Sequence, residues 1–472
     1  MTADLAYRGA GELAGLIRAR AVSPVEVVRA YLARIDRWDG TLRAYVTVCR
    51  EQALADARAA EQALGHGGAV GPLHGVPVAV KDQFDTAGVR TTSGSRLHAE
   101  RVPAQDATVV ARLRAAGAIL LGKLNLTEFA LGGTLTYPFG QPRNPWDGSR
   151  ETGGSSSGSG IAAAAALAAA TLGEDTGGSV RSPAAWCGAV GLRPTWGLVP
   201  RAGCVPVAWS MDAPGPLTRS IEDAALLLSI IAGPDGRDPW LQAAPVDPRA
   251  DLERGADGLS VGLVTTLVDS PETDREVRAA VRRAAETLRG LGARVEDVAL
   301  PLLPAAGAVF MALADGEAAA WHHAALRERG GEYDAGTRRR LLTAALLPAT
   351  LAQQAARART LIRAQVREAL ARHHVLVAPT APTAAPLIAS ARAPIASGGE
   401  AGRRFFTRRS YTTPASLAGV PALSVPCGLT EGGLPIGLQL IGRRFDEATL
   451  LRAGRAYERA GGWAGRRPPL PD

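Results

Sequence analysis

Between Gly153 and Arg181, two glycine- and serine-rich turns enclose one alanine-rich segment, GGSSSGSGIAAAAALAAATLGEDTGGSVR, and no other stretch constrains the chain as much. Glycine lets successive amides approach a ligand, serine adds hydroxyls, and alanine between them favours a helix over about 160–170. A flexible linker would join two domains, whereas this stretch leads directly into a helix and then a second turn. A phosphate-cradling loop needs a Lys-Ser/Thr pair or GxGxxG, and the segment has neither. Gly154-Ser155-Ser156-Ser157-Gly158 does fit GxSxG, a nucleophile elbow with Ser156 as nucleophile. That elbow needs a strand before it and a histidine after it. RNPWDGSRETG makes a poor strand, and His322, His323, His373 and His374 lie in no evident catalytic loop.

The basic residues carry a second signal. Of 53 lysines and arginines only Lys81 and Lys123 are lysine. Arginine keeps its proton inside proteins, whereas a desolvated lysine can lose it and act as a base. Both lysines close apolar runs, VPVAV before Lys81 and AILLG before Lys123. Position alone does not choose between them. A strand-end lysine that reaches solvent or pairs with Asp82 fits equally well.

Around this centre, strand-like runs alternate with helical patterns. VPVAV, AILLG, LSVGLV (259–264), ARVEDVAL (293–300), HVLVAP (374–379), ALSVPC (422–427) and IGLQLIG (436–442) read as strands. Helices are expected over 10–66, starting a new one at Ser23-Pro24, and over 105–116, 272–290, 307–328 and 336–372. Such alternation implies an α/β fold with a largely parallel sheet covered on both faces. The chain divides into a helical segment (1–70), a core (71–230), a helical substrate-shaping region (231–372) and a return to the core sheet (373–472), all within one compact domain.

Bulk properties narrow the function. With 472 residues, 46% of them apolar, the chain buries a large core. Its net charge of +8 is dispersed. The run Arg338-Arg339-Arg340 and the pair Arg403-Arg404 before Phe405 and Phe406 make no extended stacking platform, so nucleic acid is not an expected partner. Cys49, Cys187, Cys204 and Cys427 stand far apart, with no zinc or disulfide spacing. The N-terminus lacks an apolar signal region, and Ile161–Leu172 is too short to span a bilayer. A soluble, cytoplasmic protein with no membrane partner is expected, as a monomer or homodimer.

The stretches GGSSSGSG and DTGGSVRSPAAWCGAVGLRPT resemble the amidase signature. LHGVPVAVKD, LLGKLNLTEFALGG, FGQPRNPWD, HVLVAPTAPTAAP and ALSVPCGLTEGGLPIGLQLIGRRFDEATLL are similar to further segments of that family. The resemblance implies the amidase-signature fold, a large mixed, mainly parallel twisted sheet with helices on both faces. It also implies a Ser-cisSer-Lys triad: Ser179 as nucleophile, Ser155 as bridge after a cis Gly154–Ser155 bond, and Lys81, in the VKD motif, as base. Backbone amides of Thr176, Gly177, Gly178 and Ser179 would form the oxyanion hole. Gly132, Gly133 and Thr134 would line the acyl pocket, and Asp175 and Arg181 would pair across the turn. No metal or organic cofactor is implied. The implied activity is hydrolysis of a carbon–nitrogen acyl bond in a small amide, anilide or carbamate (urethane), with esters also in range, through an acyl-enzyme.

Two departures stand out. Glu174 occupies a position where Ser or Thr is usual, and Gly133-Thr134 replaces Ser-Thr. Two other functions fit the same residues. One is the A-type subunit of a glutamine amidotransferase, working in a complex, although 300–345 does not resemble the partner- and glutamine-binding stretch of such proteins. The other is an α/β-hydrolase-type esterase using Ser156. The variable region, with Phe310, Met311 and Trp321, favours an apolar or aromatic acyl group, while its arginines leave an anionic one open.

Overall fold

The computed structural model describes residues 2–65, 70–242, 244, 246–393, 395–463 and 465–470. Among them eleven strands form one sheet: β1 (Tyr45–Val48), β2 (Pro77–Lys81), β3 (Ile119–Leu124), β4 (Ala170–Glu174), β5 (Val190–Arg193), β6 (Pro214–Thr218), β7 (Ser260–Val264), β8 (Arg294–Val298), β9 (Val375–Pro379), β10 (Ala422–Leu429) and β11 (Pro435–Gly442). Their order is β1-β3-β2-β4-β6-β5-β10-β11-β9-β7-β8. The parallel pairing implied by strand–helix alternation lies in two flanking triplets, β3-β2-β4 and β9-β7-β8. The centre is antiparallel, with β10 and β11 joined by a tight turn around Thr430–Gly433. The sheet is therefore large and mixed, with helices packed on it. Every residue of β2, β3 and β4 is buried, as a sheet covered on both faces requires.

The first long helix, Pro24–Leu42, begins as Ser23-Pro24 predicts. Ser23 Oγ accepts from the amides of Val25 and Glu26, and Glu26 Oε2 accepts from the Ser23 amide. Val27, Val28, Tyr31 and Ile35 then face the core.

Three expectations change. The segment 10–66 is not helical throughout, because Tyr45–Val48 is β1, which pairs antiparallel with β3 at the sheet edge. The alanine-rich helix spans Ser157–Ala164 rather than 160–170, and β4 starts at Ala170. Alanine favours helix locally, but Val78, Ala79 and Val80 of β2 capture Ala170, Thr171 and Leu172 in a parallel ladder. Tertiary pairing overrides propensity there. The helix expected over 336–372 splits into Ala335–Ala345 and Ala349–Arg372. Pro348 causes the break, because it lacks an N–H and biases the preceding residue away from helix. No helix among the described residues is long and apolar enough to cross a membrane.

Candidate active site

Lys81 ends β2, and the parallel register with β4 sets it beside Glu174, the last residue of that strand. The site thus forms at the carboxyl ends of adjacent parallel strands, where open α/β sheets present their ligand crevices. Ser155 precedes the helix Ser157–Ala164, which runs back into β4, and the cis peptide Gly154–Ser155 stands at its entry. That helix packs tightly: a Cβ on Gly158 would lie 2.2 Å from the Ala44 carbonyl oxygen. The glycines of the first cluster therefore serve close packing.

Lys81 Nζ, fully buried, donates to Ser155 Oγ at 2.8 Å and to the Glu174 carbonyl at 3.3 Å. Ser179 closes the following turn and remains half-buried. The Ser156 amide donates to the Ser179 carbonyl at 3.3 Å, which ties the two serine turns together. Burial pulls the Lys81 amine below its ordinary value, and the Glu174 carboxylate is the largest opposing influence.

The two lysines separate cleanly. Lys123 is bound to the Phe84 carbonyl and Thr91 Oγ1, each at 2.6 Å, and pairs with Asp82 at 3.4 Å. Asp82 therefore partners Lys123 and not Lys81. Ser156 cannot be an elbow nucleophile: it is fully buried, and its Oγ bonds the Glu174 carbonyl and amide at 3.2 and 3.3 Å. The candidate histidines are engaged elsewhere or exposed. His322 contacts Tyr333 Oη at 3.0 Å, His373 and His374 contact Ser260, and His323 faces outward.

Asp175 organises the turn that leads to Ser179. Its carboxylate accepts from Arg181 Nε and Nη2 at 3.0 and 2.9 Å, from Arg193 Nη1 at 3.2 Å, and from the amides of Gly178 and Val180. Asp175 and Arg181 thus pair across the turn, with the two guanidinium groups holding the carboxyl well below the usual range. This network corrects the expected oxyanion hole. The Gly178 amide donates to Asp175 Oδ1 at 2.7 Å and points into the turn. No described group accepts the amides of Thr176, Gly177 and Ser179, which remain as candidate donors. Gly178 has φ +123°, and a Cβ there would meet Thr412 Oγ1 at 2.3 Å. Only glycine fits that position.

Glu174, which stands where Ser or Thr is usual, is aimed at Lys81. Its Oε2 lies 3.6 Å from Lys81 Nζ, and both side chains are fully buried. Thr176 Oγ1 sits 3.0 Å from Glu174 Oε1 and 2.8 Å from Asp212 Oδ1. One hydroxyl proton serves only one of these acceptors, so both contacts are hydrogen bonds only when one acid is protonated. Burial raises Asp212 as well, while the amides of Val207 and Ala208 that it accepts pull it back toward its charged form. Glu174 has no such amides, and burial together with Asp212 pushes it up to about 8.

The loop at Gly132 is only partly as expected. The Gly132 carbonyl accepts from Arg340 Nη1 at 3.4 Å and its amide donates to Thr127 Oγ1 at 3.1 Å, so it borders the site. Gly133 is exposed, with its carbonyl against Gly336. Thr134 lines no pocket through its hydroxyl, which accepts from the Glu128 amide at 2.9 Å. Phe310 does reach the site, since a Cβ on Gly177 would meet its ring at 2.3 Å. Trp321 does not; it is 61% exposed.

Comparison with known proteins agrees with this geometry. The family model described as Amidase matches residues 26–451. The A-type subunit of the glutamyl-tRNA(Gln) amidotransferase from Anaeromyxobacter dehalogenans is 43% identical over 97% of this chain and 96% of its own. A bacterial aryl acylamidase of the amidase signature family superposes with a TM-score of 0.89 at 28% identity, covering 98% of this chain and 99% of the other. The peptide amidase from Stenotrophomonas maltophilia gives 0.84 at 32% identity, covering 98% of each chain.

Proposed function

The chain belongs to the amidase family, and from that premise we propose that it hydrolyses a carbon–nitrogen acyl bond with Ser179 as nucleophile, Ser155 as proton bridge and Lys81 as base. The observation that carries the reading is the 2.8 Å contact between the buried Lys81 amine and Ser155 Oγ, beside a half-buried Ser179. Neutral Lys81 accepts the Ser155 proton through its lone pair, and Ser155 takes the proton of Ser179. Ser179 Oγ then bonds the acyl carbon. The resulting oxyanion meets the amides of Thr176, Gly177 and Ser179. The carbon–nitrogen bond breaks as Ser155 returns a proton to the leaving nitrogen and regains one from Lys81. Water, deprotonated by the same relay, frees the acid. The substrate is a small amide, anilide or carbamate.

A second reading is favoured by one observation. Curated relatives named as the A-type subunits of glutamyl-tRNA(Gln) amidotransferases match nearly end to end at 41–43% identity. On that reading the same relay releases ammonia from glutamine within a complex. Peptide mapping after reaction with a fluorophosphonate tests the shared chemistry without knowledge of the substrate. A single adduct on Ser179, lost in Lys81→Ala, supports the relay. An adduct elsewhere, or none at any pH, refutes it. Ammonia release from glutamine only in the presence of partner proteins would favour the second reading.

A further inference from the structure

The helix Ala306–Arg329 runs past the nucleophile turn with Phe310 against Gly177, and its next residues turn toward a pair of arginines. Arg340 donates to both oxygens of Asp315, with Nε to Oδ2 at 2.9 Å and Nη2 to Oδ1 at 2.5 Å. It also reaches the Gly132 carbonyl and Met311 Sδ. Its own position is fixed: Asp334 caps the helix carrying Arg340 and accepts the amides of Leu135 and Thr136, so helix and loop move as one.

Arg409 arrives from the other side. Its Nη1 donates to the Phe405 carbonyl at 2.7 Å, and among the described residues no carboxylate lies within ion-pair distance. Both guanidinium groups converge on one point. A methyl group on Gly132 would sit 3.6 Å from Arg340 Nη1 and 3.8 Å from Arg409 Nη2. The point adjoins the catalytic turn by two routes. Gly132 bonds Thr127, whose amide donates to the Ser155 carbonyl. The Arg409 carbonyl accepts from the Thr412 amide, and the Thr412 hydroxyl donates to the Gly177 carbonyl at 2.6 Å. Asp315 is thus the carboxylate for this pair of guanidinium groups, and it is bound by Arg340 alone. Arginine does not relieve such crowding by losing its proton. The balancing charge has the geometry of a carboxylate, which arginine binds in a planar, often bidentate manner.

Resting on the acyl-transfer reading above, we propose that Arg340 and Arg409 form a carboxylate subsite, and that the substrate is an amide-type compound whose acyl part carries a carboxylate and no neighbouring ammonium. A zwitterion such as glutamine would bring its ammonium toward Arg409 with no acid left to receive it. The apolar wall of Phe310 and Met311 then contacts the carbon chain between carboxylate and scissile carbonyl.

The test compares the mono-4-nitroanilide of succinic acid with butyric acid 4-nitroanilide, which differs by the carboxylate, and adds L-glutamine. The wild-type enzyme is expected to prefer the anion at least tenfold in kcat/KM, and to hydrolyse glutamine at least tenfold less well than the anion. In Arg409→Gln the anion-to-neutral ratio is expected to fall at least tenfold, mostly through KM, and Arg409→Lys to restore part of it. A purely structural arginine would lower both substrates together and leave the ratio unchanged, which overturns the proposal. A wild-type ratio near one, or efficient glutamine hydrolysis by the isolated chain, overturns it without any variant. Fluorophosphonate labelling separates the two layers: labelled Ser179 with no anion preference sinks the subsite alone, whereas unlabelled Ser179 sinks the acyl-transfer reading beneath it.

Discussion

Replacing Glu174 by Gln removes one proton site next to the base while keeping its shape. Lys81 Nζ and Glu174 Oε2 are 3.6 Å apart and both are inaccessible to solvent. At an effective dielectric of about 20, a full charge on Glu174 would stabilise the Lys81 ammonium by roughly 5 kcal/mol, or about three pKa units. That is a ceiling, because Glu174 holds its proton up to about 8 and the pair shares one proton near neutrality. The sign is unambiguous. An ionised Glu174 keeps Lys81 charged and idle, so its loss lets Lys81 become neutral at lower pH. The rate of fluorophosphonate labelling at Ser179, followed across pH, reads this directly. The acid limb of Glu174→Gln is expected to move down by at least about one unit, below that ceiling, and the inflection contributed by Glu174 near pH 8 to vanish. A limb that stays in place, or moves up, would refute electrostatic control of the base by Glu174.

Four further outcomes follow from the same geometry. Lys81→Ala is expected to lose roughly 10²–10⁴-fold in labelling rate at neutral pH, the usual worth of a positioned base. Ser156→Ala is expected to leave the adduct on Ser179, since the Ser156 hydroxyl bonds only the Glu174 backbone among described partners; an adduct that disappears would reopen the elbow. Asp175→Asn leaves the buried Arg181 and Arg193 without their carboxylate, and chemical denaturation is expected to show a loss of about 3–5 kcal/mol. His322, buried against Phe129 and Tyr333, is pulled down to about 4. The fold thus favours its neutral form, so its contribution is complete above the ordinary histidine value and is lost as pH falls from about 6.5 toward 4. That loss reaches about 3 kcal/mol, and denaturation midpoints at the two ends should differ less in His322→Asn.

Much of the site was legible because its parts are local in the chain. VPVAV reads as a buried strand from its β-branched run, and it is β2. The second glycine- and serine-rich cluster reads as a turn, and it is one, whereas Ser157–Gly160 of the first cluster already belong to the helix that follows. The Ser23-Pro24 start carries its own hydrogen bonds within four residues. Where the reading failed, a distant partner decided. β5 and β6 are short, the latter contains two prolines, and neither shows strand periodicity; they exist because they pair with each other and with β10 and β4.

By itself, then, the chain determined the elements whose signals repeat over a few residues, the candidate serines and lysine through the family motifs they sit in, and the α/β class. Tertiary structure alone decided which lysine faces which acid, giving Asp82 to Lys123 and Glu174 to Lys81. It also brought Gly132, Arg340 and Arg409 to a single point across most of the chain's length. The physical reason is that a residue's charge and size are written locally, whereas the field it feels is set by strand register and helix packing. The register of β2 against β4 places the Glu174 carboxylate beside Lys81.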